Sequence, residues 1–268
     1  MRRIHWSAIV DARAELADDV VVGPYAVIEG QAILASGCVL HAHALVRGPT
    51  VLGARCVIHP FAVIGGEPQA TRHSFGTPAR LEVGEGNVFR EHVTVHGGTE
   101  GRTTSIGHAN LFMVGAHVAH DVVIGSHCVL ANGAQLAGHA AIDDWVTFGG
   151  LSGVAQFVRV GESAFVAASS ACERSVPPFV VVQGDRARVR GLNVVGLRRR
   201  GVAKDHLDAL RRAVRKLWMS RSPRASVLTR LAGEADPYVR RLVEWLTRQD
   251  DHAAEMRNRP RSTQAGAD

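Results

Sequence analysis

The chain of 268 residues is 46% hydrophobic, enough for a sizeable core, but only 5% aromatic, so that core must be built from Val, Ile, Leu and Ala. No apolar run is long enough to span a membrane, and the opening MRRIHWSAIVDARAEL is charged too early for a signal peptide, so a cytoplasmic protein without a membrane span is expected. The net charge of +6 favours an acidic partner, and the four cysteines form neither a disulfide scaffold nor a CxxC metal site.

From the start of the chain a six-residue period dominates. Every sixth residue from Ile4 is aliphatic: Val10, Leu16, Val22, Ile28, Leu34, Leu40, Val46, Leu52, Ile58 and Ile64. Four places after each comes a small or β-branched residue, Cys38 and Cys56 among them. Neither a helix nor an alternating strand has this period, whereas a hexapeptide β-helix does: each unit is a short strand plus a corner. The register slips at about 65–80 and again at about 97–105, and a solenoid extrudes such additions as loops. It then runs from Ile106 to Val166.

The period ends after SVPPF at Ser175 to Phe179, where GDRARVRGLNVVGLRRRG brings six arginines together. No aromatic interleaving or nucleic-acid motif accompanies them, so no nucleic-acid partner is expected. Helical spacing follows over Lys204 to Met219, with helix starts at Ser222-Pro223 and Asp236-Pro237. The expected organisation is a β-helix over 1–190, a small helical domain over 191–249 and a disordered tail over 250–268.

Chemistry concentrates in MVGAHVAHD, Met113 to Asp121. If three six-residue units make one coil, residues 18 apart are vertical neighbours. His120 then lies under Gly138 and Gln156, Asp121 under His139, and His117 under Gln135 and Gly153. A carboxylate beside a histidine fixes its tautomer and raises its basicity. A glycine N–H one coil above can stabilise an oxyanion. The combination suits attack of a hydroxyl or amine on an acyl group. Most of the fourteen histidines, such as His41, His43, His59 and His127, are expected on the outer surface.

The segments IGHANLFMVGAHVAHDVVIG, LANGAQLAGHAAIDD, GGLSGVAQFVRVG, SVPPFVVVQGDRA and GLNVVGLRRRG resemble the acyl-(acyl-carrier-protein):UDP-N-acetylglucosamine O-acyltransferases of lipid A biosynthesis. The resemblance implies an all-β left-handed parallel β-helix with triangular coils, followed by a small α-helical C-terminal domain. It implies a homotrimer with sites between subunits, and transfer of a 3-hydroxyacyl chain from acyl carrier protein to the sugar 3-hydroxyl. No cofactor is implied, because the chain arrives on the carrier's phosphopantetheine arm.

By the same resemblance His120 is the general base, Asp121 its orienting partner and Gly138 the oxyanion donor. His117, His139, Gln156, Asn193, Arg199 and Arg200 fall at substrate-binding positions, and no residue at a metal-ligand position. His73 stands where the family often has a loop lysine, Ala155 where it has a histidine, and Val195 where it has a glutamate. Ala168 falls at the chain-length position, where a methyl in place of glycine implies medium-length acyl groups. Three other readings share these residues: an N-acyltransferase acting on a 3-amino UDP-sugar, a zinc enzyme of the carbonic anhydrase type, and a non-catalytic β-helix assembly protein. The HVAH spacing is narrower than the zinc family's.

Overall fold

The computed structural model describes residues 2–70 and 77–258, with side chains described as far as residue 248. It divides into two compact units, Met1–Gly201 and Val202–Asp268.

The first unit is a parallel β-solenoid. Its strands are mostly two to four residues long and form three sheets of 11, 9 and 8 strands, in which successive neighbours are every third strand of the chain except at the C-terminal end of the 11-stranded sheet. Short strands follow from the sequence, since a corner intervenes every six residues. The pairing carries the 18-residue coil directly: Val39 pairs with Val57 and Leu45 with Val63. At the first insertion the spacing grows to Val57 with Val88, and at the second to Thr94 with His117, after which Val118 pairs with Leu136 in the regular step. Strand pairing therefore continues across both slips.

The aliphatic of each unit points inward and is buried from Leu16 onward. Ile4, at the edge of its sheet with no coil beneath it, remains 42% exposed. Cys38, Cys56 and Cys128 are buried free thiols in the small-residue positions, as expected of small hydrophobes. One corner turns through the left-handed backbone region at Tyr25, His43, Phe61 and His92 (φ 57° to 63°), and their rings stack with centroids 5.0 to 5.3 Å apart. Stacking on the next coil offsets part of the cost of that backbone conformation. Another corner is held from inside by buried asparagines: Asn110 Nδ2 donates to Asn87 Oδ1 (2.9 Å), and Asn110 Oδ1 accepts from Cys128 N (2.7 Å).

The solenoid unit closes with a feature that the broken period concealed. Strands Val180–Gln183 and Arg188–Leu192 form an antiparallel pair on the last coil, followed by a short helix, α1 (Val194–Arg199), whose N-terminus is capped by Asn193 Oδ1 accepting from Gly196 N at 3.0 Å. The boundary between units thus falls after Gly201, later than the 190 expected, because the arginine-rich segment pairs with the sheet.

The second unit comprises α2 (Lys204–Trp218), α3 (Arg224–Leu231) and α4 (Pro237–Asn258). Leu207, Leu210, Val214 and Leu217 of α2 are buried, in agreement with their helical spacing. Pro223 and Asp236 stand before α3 and α4; Asp236 Oδ1 accepts from the N–H groups of Tyr238 (2.9 Å) and Val239 (3.0 Å). The backbone of α4 continues to Asn258, so the segment expected to be disordered from 250 is helical over its first part; residues 259–268 lie outside the described residues.

Candidate active site

His117 lies on the strand His117–Val118, and the chain turns a corner immediately after it. Asp121 occupies that corner at φ 60°, a conformation that aspartate tolerates better than most residues. The turn throws His120 and Asp121 together: His120 Nδ1 donates to Asp121 Oδ2 at 2.8 Å, both side chains being buried. A carboxylate can only accept, so this bond assigns the Nδ1–H tautomer and leaves Nε2 as a base.

One coil higher Gly138 closes over the imidazole. A Cβ at Gly138 would meet His120 Cε1 at 2.7 Å and Nε2 at 2.9 Å, so any other residue there would displace the ring. The Gly138 N–H makes no hydrogen bond among the described residues. His139 stands beside Asp121, with Nε2 3.5 Å from the same Oδ2, and its ring stacks on Phe157 at 4.6 Å.

Burial acts to raise the pKa of Asp121; the His120 bond, two bonds from Thr99 and the nearby His139 outweigh it, so the carboxyl sits below its usual range. Burial lowers the pKa of His117, and lowers that of His139 against the pull of Asp121.

A cavity of about 480 Å³ runs up this face, lined among others by Gln69, His117, His120, Gln135, Gly138 and Gln156. The vertical columns inferred from spacing are therefore present: His117 pairs with Gln135, and Gln135 with Gly153. Asn193, Arg199, Arg200 and Ala168 do not line this cavity within one chain. Asn193 caps α1 and donates through Nδ2 to the Ser163 carbonyl at 2.9 Å. Arg200 bonds Glu162 Oε1 at 2.8 Å and the Ser163 hydroxyl, with its guanidinium 4.8 Å from the Trp145 ring centre. Arg199 is exposed at the end of α1, and Ala168 is exposed at a separate corner. His73 lies outside the described residues.

Sequence reasoning missed three contributors. His96 is buried with no partner for Nδ1 among the described residues, its ring edge-on to His117 at 5.0 Å, and burial, reinforced by His117 and His120, depresses its pKa to about 4. Thr99, from the second extruded loop, and Thr104, on the strand Thr103–Ile106 that follows it, bond Asp121. A histidine and a threonine flanking GG just before a register slip were the available signal. His120, Asp121 and His139 offer ligand atoms within 4.8 Å of one another; within this set His120 is hydrogen-bonded to Asp121, and His139 Nε2 stands 3.5 Å from the same carboxylate.

Comparison with known proteins gives one family. The model described as UDP N-acetylglucosamine O-acyltransferase, domain 2, matches residues 176–253, and the bacterial transferase hexapeptide model matches residues 103–138. An acyl-(acyl-carrier-protein):UDP-N-acetylglucosamine O-acyltransferase of Thiobacillus denitrificans is 46% identical over 254 residues, covering 93% of this chain and 98% of that protein. The structure of LpxA from Acinetobacter baumannii superposes with a TM-score of 0.86 at 34% identity, covering 91% of this chain and 96% of that one. That of the Moraxella catarrhalis UDP-N-acetylglucosamine O-acyltransferase superposes at 0.85 and 35% identity, covering 91% and 96%. With the repeat, the AHD corner and the C-terminal helices all inside the matched length, this chain belongs to the acyl-(acyl-carrier-protein):UDP-N-acetylglucosamine O-acyltransferase family.

Proposed function

We propose that the protein transfers a 3-hydroxyacyl chain from acyl carrier protein to the 3-hydroxyl of UDP-N-acetylglucosamine, the first step of lipid A biosynthesis. The reading rests on membership of the family and on one observation above all: His120 is tied at Nδ1 to Asp121, and its free Nε2 lies under Gly138 at the cavity wall.

His120 Nε2 takes the proton of the sugar hydroxyl as its oxygen attacks the thioester carbonyl. The developing oxyanion is met by the Gly138 N–H, which no group of the described chain engages. Collapse expels the pantetheine thiolate, which recovers the proton from imidazolium. Asp121 stabilises that imidazolium without itself being protonated. No cofactor takes part, because base, oxyanion donor and leaving group are all supplied by the chain and the thioester.

His117 and Gln156 line the cavity, and His139 adjoins it, as sugar-nucleotide contacts. Asn193, Arg199 and Arg200 are exposed or packed on a different side of the same unit, which supports a homotrimer in which a neighbouring copy brings them to the site. The positive charge of the chain suits an acidic carrier protein. Ala168 in place of glycine shortens the acyl groove, so medium chains are preferred. No described helix is long and apolar enough to cross a membrane.

The test is acyl transfer to UDP-N-acetylglucosamine from a series of 3-hydroxyacyl carrier proteins, with the 3-amino analogue as a parallel acceptor. An ester at the sugar 3-position is expected. No transfer, or a strong preference for the amine, would overturn the assignment.

A further inference from the structure

The second extruded loop grips the carboxylate behind the general base. Its first turn is fixed to the solenoid: Gly97 N donates to Gly66 O (2.9 Å), Gly98 N to Arg80 O (2.8 Å), and Arg102 N closes the turn onto Thr99 O (2.8 Å). From this base Thr99 sends two bonds to Asp121, its backbone N–H to Oδ1 and its hydroxyl to Oδ2, each 2.9 Å. Beyond the loop, on the strand Thr103–Ile106, Thr104 Oγ1 accepts from the Asp121 backbone N–H at 2.8 Å.

Two imidazoles compete for Oδ2. His120 Nδ1 lies 2.8 Å from it and His139 Nε2 lies 3.5 Å from it on another side. A carboxylate held by histidine alone could rotate toward either ring. With Oδ1 held by the Thr99 N–H and Oδ2 shared with the Thr99 hydroxyl, the carboxylate is fixed in the orientation that hydrogen-bonds His120 Nδ1 at 2.8 Å and leaves His139 Nε2 at 3.5 Å.

We propose that Thr99 is a positioning residue for acyl transfer: it locks the Asp121 carboxylate onto His120 Nδ1 and away from His139, so that His120 keeps the tautomer with Nε2 free to act as base. This rests on the reading of the site as an acyltransferase centre. Among the described residues, the titratable and charged groups facing Asp121 are His120 and His139, with Arg102 acting on His139 from the loop.

Thr99→Val removes the hydroxyl while keeping its shape and the backbone N–H, and Thr99→Ser restores the hydroxyl without the methyl. Thr99→Val is expected to lower kcat roughly tenfold with KM for UDP-N-acetylglucosamine unchanged, and to move the acid limb of the kcat profile to higher pH, since the carboxylate has lost a donor. Thr99→Ser is expected to recover most of the rate. Thr99→Ala is run alongside, so that a valine variant that fails to fold leaves the hydroxyl deletion measurable. Proton NMR of the His120 Nδ1–H provides a readout independent of turnover: a sharp downfield signal in wild type and Thr99→Ser, broadened or lost in Thr99→Val. Wild-type kcat and an unchanged Nδ1–H signal in the hydroxyl-deleted variants, or a serine variant as slow as valine, overturns the proposal. Absence of any transfer by wild type would instead count against the assigned reaction, with the NMR comparison still deciding the role of Thr99.

Discussion

Replacing Gly138 by alanine places a methyl where Cε1 of His120 is only 2.7 Å away, at a position whose backbone the solenoid holds fixed. The imidazole must move, and Gly138→Ala is expected to lose on the order of 100-fold in kcat while its melting temperature stays close to that of wild type, as steady-state kinetics and thermal denaturation will show. His96 gives a prediction about pH. The folded protein holds it near 4 against an ordinary value of 6.5, so between those limits the unfolded chain binds a proton that the folded chain does not. Stability from keeping His96 neutral is present above pH 6.5 and is lost as pH falls toward 4; His117 and His139, also lowered, act in the same direction. The melting temperature should therefore fall across that window, and His96→Gln should fall less steeply; parallel curves would remove His96 from the explanation. His120, Asp121 and Gly138 were legible in the sequence because they lie in an unbroken stretch of the period, where adding 18 gives the vertical neighbour. His96, Thr99 and Thr104 were not, because the insertion beside them breaks that arithmetic.

At the scale of the element, the asparagine ladder illustrates how the coil accommodates polar groups in its interior. Asn110 joins Asn87, the Gly125 carbonyl and the Cys128 N–H on neighbouring coils. Asn110→Ala strands those groups away from water, and should cost about 1–3 kcal/mol in chemical denaturation with acyl transfer retained in the folded fraction. In the helical unit, Asp236 caps α4 and also accepts from His206 Nδ1 at 2.6 Å. Asp236→Ala should cost that unit about 1–2 kcal/mol, read from the helical circular dichroism signal in urea. The helices were visible in advance because their apolar spacing and Pro starts are local. The antiparallel pair after Val180 was hidden: the six-residue period had ended, and only the edge of the last coil gives the arginine-rich segment a pairing partner.

For the whole molecule, the separation of His120 from Arg199 within one solenoid predicts complementation. A co-expressed mixture of His120→Ala and Arg199→Ala chains should recover roughly a quarter of wild-type activity, since a site shared between copies can draw each intact residue from a different chain. Activity no higher than that of the two variants alone would place both residues' contributions within one chain. The architecture itself was readable from periodicity, whereas the arrangement of copies cannot be read from a repeat that describes only one of them. The most direct measurement is kcat for transfer of a 3-hydroxyacyl group from its carrier protein to UDP-N-acetylglucosamine by wild type and by His120→Ala. A readily measured wild-type rate that falls by roughly 100-fold or more in a folded variant is the expected result; equal rates in the two proteins would contradict the assignment of His120 as the base.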